Sequence, residues 1–373
     1  AHRDYEHNAF RRMCNFEYDG FFRIGMHHRN ERNAIIQHGT MTMVRRELLQ
    51  RIGWSEWCIT EDAELGLRIL DEGYATTYIA RSYGRGLMPD TFLDFKKQRS
   101  RWAFGAMQIL RRHFAALIHG RDTGLTAGQR YHFVAGWLPW LADGFNLLVN
   151  LAALVWSLVM VLFPRHIEPP LMLFSVLPLS LFLFKLVKLL HLYRARVGAT
   201  FTQTIAAAIA GLGLSHTVGS AMLSGFVNKD RPFFRTPKRT ARHAWLQSLA
   251  AAREEAVLMC GLWVAAFAVS SIPQMDGDQP GLVGSPDLTV WVTVLLVQSI
   301  PYAAAVIVSL VSSLQLRGDW IGEARDPVFD ASAAASEPDP DSIATGTSTL
   351  PVGSLARNNG GALPATAKLD SAK

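Results

Sequence analysis

Two strings in this chain have residue types and spacing that can do chemistry: Thr60-Glu61-Asp62 and, further along, Gln98-Arg99-Ser100-Arg101-Trp102. A carboxylate pair opening a helix supplies a base. The helix dipole and free N–H groups keep it ionised, which points to Asp62 with Glu61 beside it. Gln98, Arg101 and Trp102 fall at i, i+3 and i+4 on one helical face. They offer an amide, a cation for phosphate oxygens and an apolar ring wide enough for a pyranose. Inverting transfer of a sugar from a diphosphate requires a base, a cation and a sugar-holding surface together. Each string alone has a plainer reading, as a capped helix start or as a basic anchor at a membrane interface. Their order, both upstream of a long apolar region, favours the chemical one.

The elements that must position these residues follow from the pattern around them. Of 373 residues, 49% are hydrophobic and 18% charged, which is apolar for a wholly water-soluble protein, so part of the chain belongs in a membrane. The net charge of +6 is concentrated beside apolar stretches, and no nucleic-acid motif is present. Cys14, Cys58 and Cys260 form no CxxC pair and read as reduced thiols, and His27-His28-Arg29-Asn30 reads as a solvated edge. Strands are predicted over 34–45 and 75–80, and a helix over 61–72 stopped by Gly73. From 91 to about 118, apolar residues at helical spacing alternate with Lys and Arg, as in an amphipathic helix on a membrane surface.

Five apolar stretches follow, near 137–163, 171–190, 204–226, 256–272 and 288–314, each a candidate span. Loop charge decides which cross. Lys229, Arg231, Arg235, Lys238, Arg239, Arg242 and Arg253 crowd 228–253, whereas 273–287 holds Asp276, Asp278 and Asp287 without Lys or Arg. With five crossings and a cytosolic start, the basic loop falls outside; with four, every loop has the expected sign. The stretch 204–226, rich in Ala, Gly and Ser, is the one expected not to cross. Lys185 and Lys188 are expected to snorkel, and Trp137 and Trp140 to anchor at the interface. Asp143, Asn146 and Asn150 form a polar stripe that serves either a sugar chain or a neighbouring helix. Beyond about 325 the composition predicts disorder.

The strings HGTMTMVRREL (38–48), CITEDAELGLRIL (58–70), GLMPDTFLDFKKQRSRWAFGAMQIL (86–110) and RPFFRTPK (231–238) resemble, in this order, motifs of the membrane-embedded family-2 glycosyltransferases. That group includes cellulose, hyaluronan and bacterial β-glucan synthases. The resemblance covers about residues 1–320 and is nearest to bacterial β-(1→3)-glucan synthases. It implies Asp62 as general base with Glu61 its companion, and Gln98, Arg101 and Trp102 as ligands of the diphosphate and of the acceptor's terminal sugar. It further implies His38, Gly39 and Thr40 as the floor of the acceptor pocket. Phe233, Thr236 and Lys238 are implied on a gating loop over the nucleotide, where Arg235 departs from the aliphatic residue common in the group.

The implied fold class is α/β, a partial GT-A-like glycosyltransferase domain lacking its donor-binding half, followed by an α-helical membrane domain. The expected divisions are 1–90 for the catalytic part and 91–130 for interface helices. The membrane domain is expected over 131–320, with four spans, an interfacial helix at 204–226 and the gating loop at 228–240. The tail is expected over 326–373. The implied activity is transfer of glucose from UDP-glucose to a growing β-glucan, with translocation across a bacterial inner membrane and the catalytic region cytosolic. The partners are a nucleotide sugar donor, a polysaccharide acceptor and the lipid bilayer, without nucleic acid.

One departure is large. The resemblance implies Mg2+ or Mn2+ held by a D-x-D, and no such pair precedes Thr60. Asp276-Gly277-Asp278 and Asp339-Pro340-Asp341 fall in the expected outer loop and tail. The chain, which opens at Ala1 without an initiator Met, is therefore expected to be the carboxyl-terminal part of a longer protein, inactive alone. The alternatives are a non-catalytic polysaccharide-conducting membrane subunit and a single-addition glycolipid glucosyltransferase.

Overall fold

Asn8 opens the first helix, α1 (Ala9–Asp19), its side-chain oxygen accepting from the Arg11 N–H at 3.0 Å. A computed structural model describes residues 2–3, 7–39, 41–79, 86–170, 172–228, 250–272 and 286–322. Helix α1 buries Phe10, Met13, Cys14 and Phe16, then widens into a π-helix over Gly20–Met26. Carbonyls freed at that change of ladder are taken up by the Tyr193 hydroxyl, which donates to Phe16 O at 3.1 Å. Gly20 permits the approach, since a Cβ there would stand 2.5 Å from the Tyr193 oxygen. A short α2 (His27–Glu31) follows.

The α/β expectation is met mainly by its helices. Among the described residues the sheet is a parallel pair of two-residue strands, β1 (His2–Arg3) and β2 (Gly86–Leu87). Described residues of the two predicted strands, within 34–45 and 75–80, are extended or turn-like without a ladder partner. Side chains replace the ladder. The Asn33 Oδ1 accepts from Thr76 N at 2.7 Å, and the Asn30 Oδ1 from Tyr78 N at 2.7 Å.

The predicted helix at 61–72 is α4 (Glu61–Asp71), reached through α3 (Arg46–Ile52) and ended by Gly73 at φ +83°. Helix α5 (Phe92–Arg112) is capped by Thr91, whose hydroxyl accepts from Asp94 N at 3.1 Å. A π-turn at Ala115–His119 takes the place of its predicted last turn. Residues 103–110 of α5 are all buried, so this half of the helix is core and the amphipathic pattern ends at Trp102.

The apolar region forms α6 (Ala127–Leu162), α7 (Met172–Leu192), α8 (Phe201–Leu212), α9 (Ser215–Val227), α10 (Arg253–Ser270) and α11 (Pro286–Leu314). Among the described residues, three stretches are long and apolar enough to cross a membrane: α6, Phe201–Val227 and Asp287–Leu314. The second is broken at Gly213-Leu214 into α8 and α9, each about 20 Å long and short of a 30 Å hydrocarbon core. It is also the most enclosed of the three, 67% buried against 28% for α6.

Gly219 on α9 lies against the α6 backbone, where a Cβ would come 2.6 Å from Asp143 O. Of the polar stripe, Asn150 is fully buried and donates to the Tyr302 hydroxyl at 2.6 Å, so that residue serves a neighbouring helix. Trp137, expected at the interface, is 4% exposed and packs edge-on against Phe133, because the face of α6 that carries Gln129, Phe133 and Trp137 packs into the protein core.

Candidate active site

The TED string is positioned by α5. Gln108 accepts from Ile59 N at 3.0 Å and donates to Trp57 O at 3.2 Å, which fastens the loop entering α4. Gly105 removes the side chain that would obstruct it, since a Cβ there would lie 2.2 Å from the Thr60 Oγ1. Thr60 therefore packs on α5 and makes no side-chain cap, its hydroxyl lying 3.5 Å from the Cys58 sulfur. Beneath the first turn, Glu64 is 1% exposed and bound by Arg68 at 2.8 Å, His113 at 3.0 Å and Ser55 at 2.5 Å. Burial pushes the Glu64 carboxyl up, and the hydrogen bonds from His113, Ser55 and Arg68 outweigh it, holding the group below its ordinary range.

On that base stand Glu61, exposed, and Asp62, half-buried, with the Asp62 Oδ1 accepting from Ala63 N at 2.8 Å. The segment before α3 runs along α4. A Cβ at Gly66 would sit 2.7 Å from the Gln37 Cβ, and a Cβ at Gly39 would sit 3.2 Å from the Asp62 Oδ2. Gly39 thus borders the carboxylate assigned as base. The adjoining His38 ring lies 5.0 Å from Phe21 and 5.2 Å from Phe22, its buried Nε2 without a hydrogen-bond partner among the described residues. Burial lowers the His38 imidazole from its ordinary value, partly offset by the Asp62 charge.

The second string is positioned by α1. The Tyr18 hydroxyl donates to the Gln98 Oε1, and the Tyr18 ring meets Trp102 edge-on at 5.9 Å. The Arg99 guanidinium stacks over Tyr18 at 4.6 Å, Trp102 at 4.7 Å and Phe95 at 5.2 Å, and pairs with Glu17. Gln98, Arg101 and Trp102 remain half-buried.

The continuous run from Ala9 to Met26 carries both Tyr18 and the Phe21-Phe22 pair, and α5 carries both the second string and the dock for the first. Asp62, Gly39, His38, Gln98 and Trp102 are thereby joined through one connected set of contacts. Thr40, Phe233, Thr236 and Lys238 lie outside the described residues, as do the two D-x-D pairs and the tail.

Sequence reasoning missed Glu17, Tyr18, Gly105 and Gln108, and gave no role to Arg99. Arg99 sits inside the string and carried a signal, being roughly 100° around the helix from Gln98 and three residues before Trp102. The other four have no local mark. Among the described residues no three His, Cys, Asp or Glu side chains come together to hold a metal.

The family model described as glycosyl transferase family group 2 matches residues 6–194, just over half of the 373. The chain belongs to this family. The match takes in both strings, the α1 spine and α6. The family-2 chain is also similar to the cellulose synthase 1 catalytic subunit (UDP-forming) of Komagataeibacter xylinus, 32% identical over 98 residues. That stretch is 26% of this chain and 13% of the relative. The cellulose synthase catalytic subunit (UDP-forming) of Pseudomonas fluorescens (strain SBW25) is 36% identical over 99 residues, again 26% of this chain and 13% of the relative. The matched region is thus a small part of the length of these curated relatives.

Proposed function

We propose that this family-2 chain carries the acceptor and translocation half of an inverting glucosyltransferase that elongates a β-glucan at a bacterial inner membrane. The observation that carries the reading is the docking of the TED turn on the helix bearing the second string, through Gly105 against Thr60 and Gln108 against Ile59. A base and a diphosphate-binding cation are useful together only if one rigid element places both. In the proposed step the acceptor hydroxyl oxygen bonds to the anomeric carbon of UDP-glucose as the bond to the diphosphate breaks. Asp62 takes the hydroxyl proton, Arg101 faces the charge gathering on the diphosphate, and Trp102 holds the acceptor's terminal ring. His38 and Gly39 line the floor beside Asp62. Phe233, Thr236 and Lys238 are proposed to contact the nucleotide. The product passes outward among the apolar helices, with the 228–253 segment cytosolic.

The test is incorporation of radiolabelled UDP-glucose by membranes carrying the full-length protein. Asp62→Asn should lower incorporation about 100-fold or more, the contribution of a general base. Unchanged incorporation would end the enzymatic reading in favour of a conducting subunit. A labelled product that partitions into organic solvent would mark a single-addition glycolipid enzyme. Digestion by a β-(1→3)-specific glucanase tests the linkage, which rests on the texture of the quoted strings.

A further inference from the structure

A second ionic centre lies away from Asp62, where α5 meets the apolar helices. Glu255, in the first turn of α10, is 0% exposed. Its Oε1 accepts from the Lys96 Nζ of α5 at 2.6 Å and lies 3.0 Å from the His216 Nδ1 of α9. Lys96 also donates to Ala251 O at 2.9 Å. Among the described residues the Glu255 Oε2 is buried without a partner, and the carboxylate is held by Lys96 and His216. Ser220 lies 3.4 Å from the far nitrogen of His216, and Glu254, largely exposed, stands 3.9 Å from the near one.

Three helices therefore meet on one carboxylate oxygen. The other end of the same packing is fastened too, because Arg111 of α5 donates to Gly225 O at 2.7 Å and to Asn228 O at 3.1 Å, the last carbonyls of α9. Helices α5 and α9 run side by side in the same direction, bolted at both ends, with Gly225 set against Met107.

A buried ion pair is a costly way to gain stability, since apolar side chains of similar volume do as well or better. What it adds is one permitted register between the helices it joins. Gln98 follows Lys96 by two residues and Trp102 by six, on the same rigid helix. We propose that Glu255 is a positioning residue which, through Lys96, fixes α5 against α9 and α10 and so sets where Gln98 and Trp102 stand for sugar transfer. Lys96 and Glu255 lie outside both chemical strings. The claim for transfer rests on the function proposed above; the claim for register does not.

The experiment uses the full-length protein purified in detergent, with variants Lys96→Met, Glu255→Gln, the pair combined, Lys96→Arg and Asp62→Asn. Spin labels at Leu93→Cys on α5 and Val257→Cys on α10, both exposed, in a Cys260→Ser background, report the register directly. In folded Lys96→Met the distance should move or broaden by about 1–2 Å, the scale of helix shifts at interfaces. Turnover per folded molecule should fall about tenfold or more with the KM for UDP-glucose held within about twofold, as misplacement by 1 Å predicts. The combined variant should be no worse than the poorer single one, and Lys96→Arg should restore most of the turnover.

An unchanged distance in folded Lys96→Met overturns the proposal whether or not sugar is transferred. A moved distance with unchanged turnover, or losses that multiply in the combined variant, overturns the positioning role. Asp62→Asn with full activity sinks the base assignment instead, and the distance measurement still decides the clasp.

Discussion

At the scale of single residues, His38 and Glu64 make the site sensitive to acid in the same direction. Burial holds His38 below its ordinary 6.5, so the folded protein binds fewer protons there than the unfolded chain does. Stability is lost as pH drops below about 6.5, down to the lowered folded value. Glu64, held below its ordinary 4.5 by His113, Ser55 and Arg68, stabilises the fold above that value and ceases to do so as pH falls through its folded pKa. Thermal midpoints measured from pH 7 to pH 3 should therefore fall in two stages. His38→Asn should flatten the upper stage and Glu64→Gln the lower, and the second variant should lower the midpoint at pH 7 as well. Breaking a buried pair costs about 3–5 kcal/mol. The place of Asp62 in the first turn of a helix was legible in the sequence. The lowered pKa of His38 was not, because it depends on burial, to which the Phe21 and Phe22 rings contribute from many positions away in the chain.

At the scale of elements, a glycine decides whether the two chemical strings meet. Gly105→Ala in the middle of an exposed helix would stabilise by about 1 kcal/mol. Here the new methyl would lie within 2.8 Å of three Thr60 side-chain atoms, and overpacking of that kind costs about 1–3 kcal/mol. The variant should therefore be destabilised, by denaturant titration, and should lose glucose incorporation beyond its loss of folded protein, because α4 can dock only by shifting Asp62.

Helix α4 was readable because an acidic first turn, a terminal Gly73 and apolar periodicity agree, and α5 because its apolar residues recur at helical spacing. The predicted strand at 75–80 failed for a physical reason. Asn30 and Asn33 supply to Tyr78 and Thr76 the acceptors that a neighbouring strand would supply, so a β-like pattern there is satisfied without a sheet. Gly105 looked like an ordinary mid-helix glycine, and only the approach of Thr60 gives it meaning.

At the scale of the whole molecule, the proposed arrangement has loop charge ordering the apolar helices across a membrane, with Phe201–Val227, broken at Gly213-Leu214, as the stretch that does not cross. If Phe201–Val227 does not cross, Asn228 faces the cytosol and Ser271, at the far end of α10, faces outward. In spheroplasts carrying single cysteines, a membrane-impermeant maleimide should label Ser271→Cys at once and Asn228→Cys only after permeabilisation. The reverse order would reject the four-crossing arrangement.

The apolar stretches were plain from composition, but their traffic with α5 was not, because Lys96, Arg111, His216 and Glu255 look individually like solvated or snorkelling charges. That traffic has a consequence for engineering. Since α5 is tied to α9 at both ends, a hybrid joining the water-facing part of one relative to the lipid-facing part of another would inherit mismatched fasteners. A seam placed anywhere between 112 and 215 divides partners that recognise each other; only transplants carrying both helices together with the start of α10 keep the original fit.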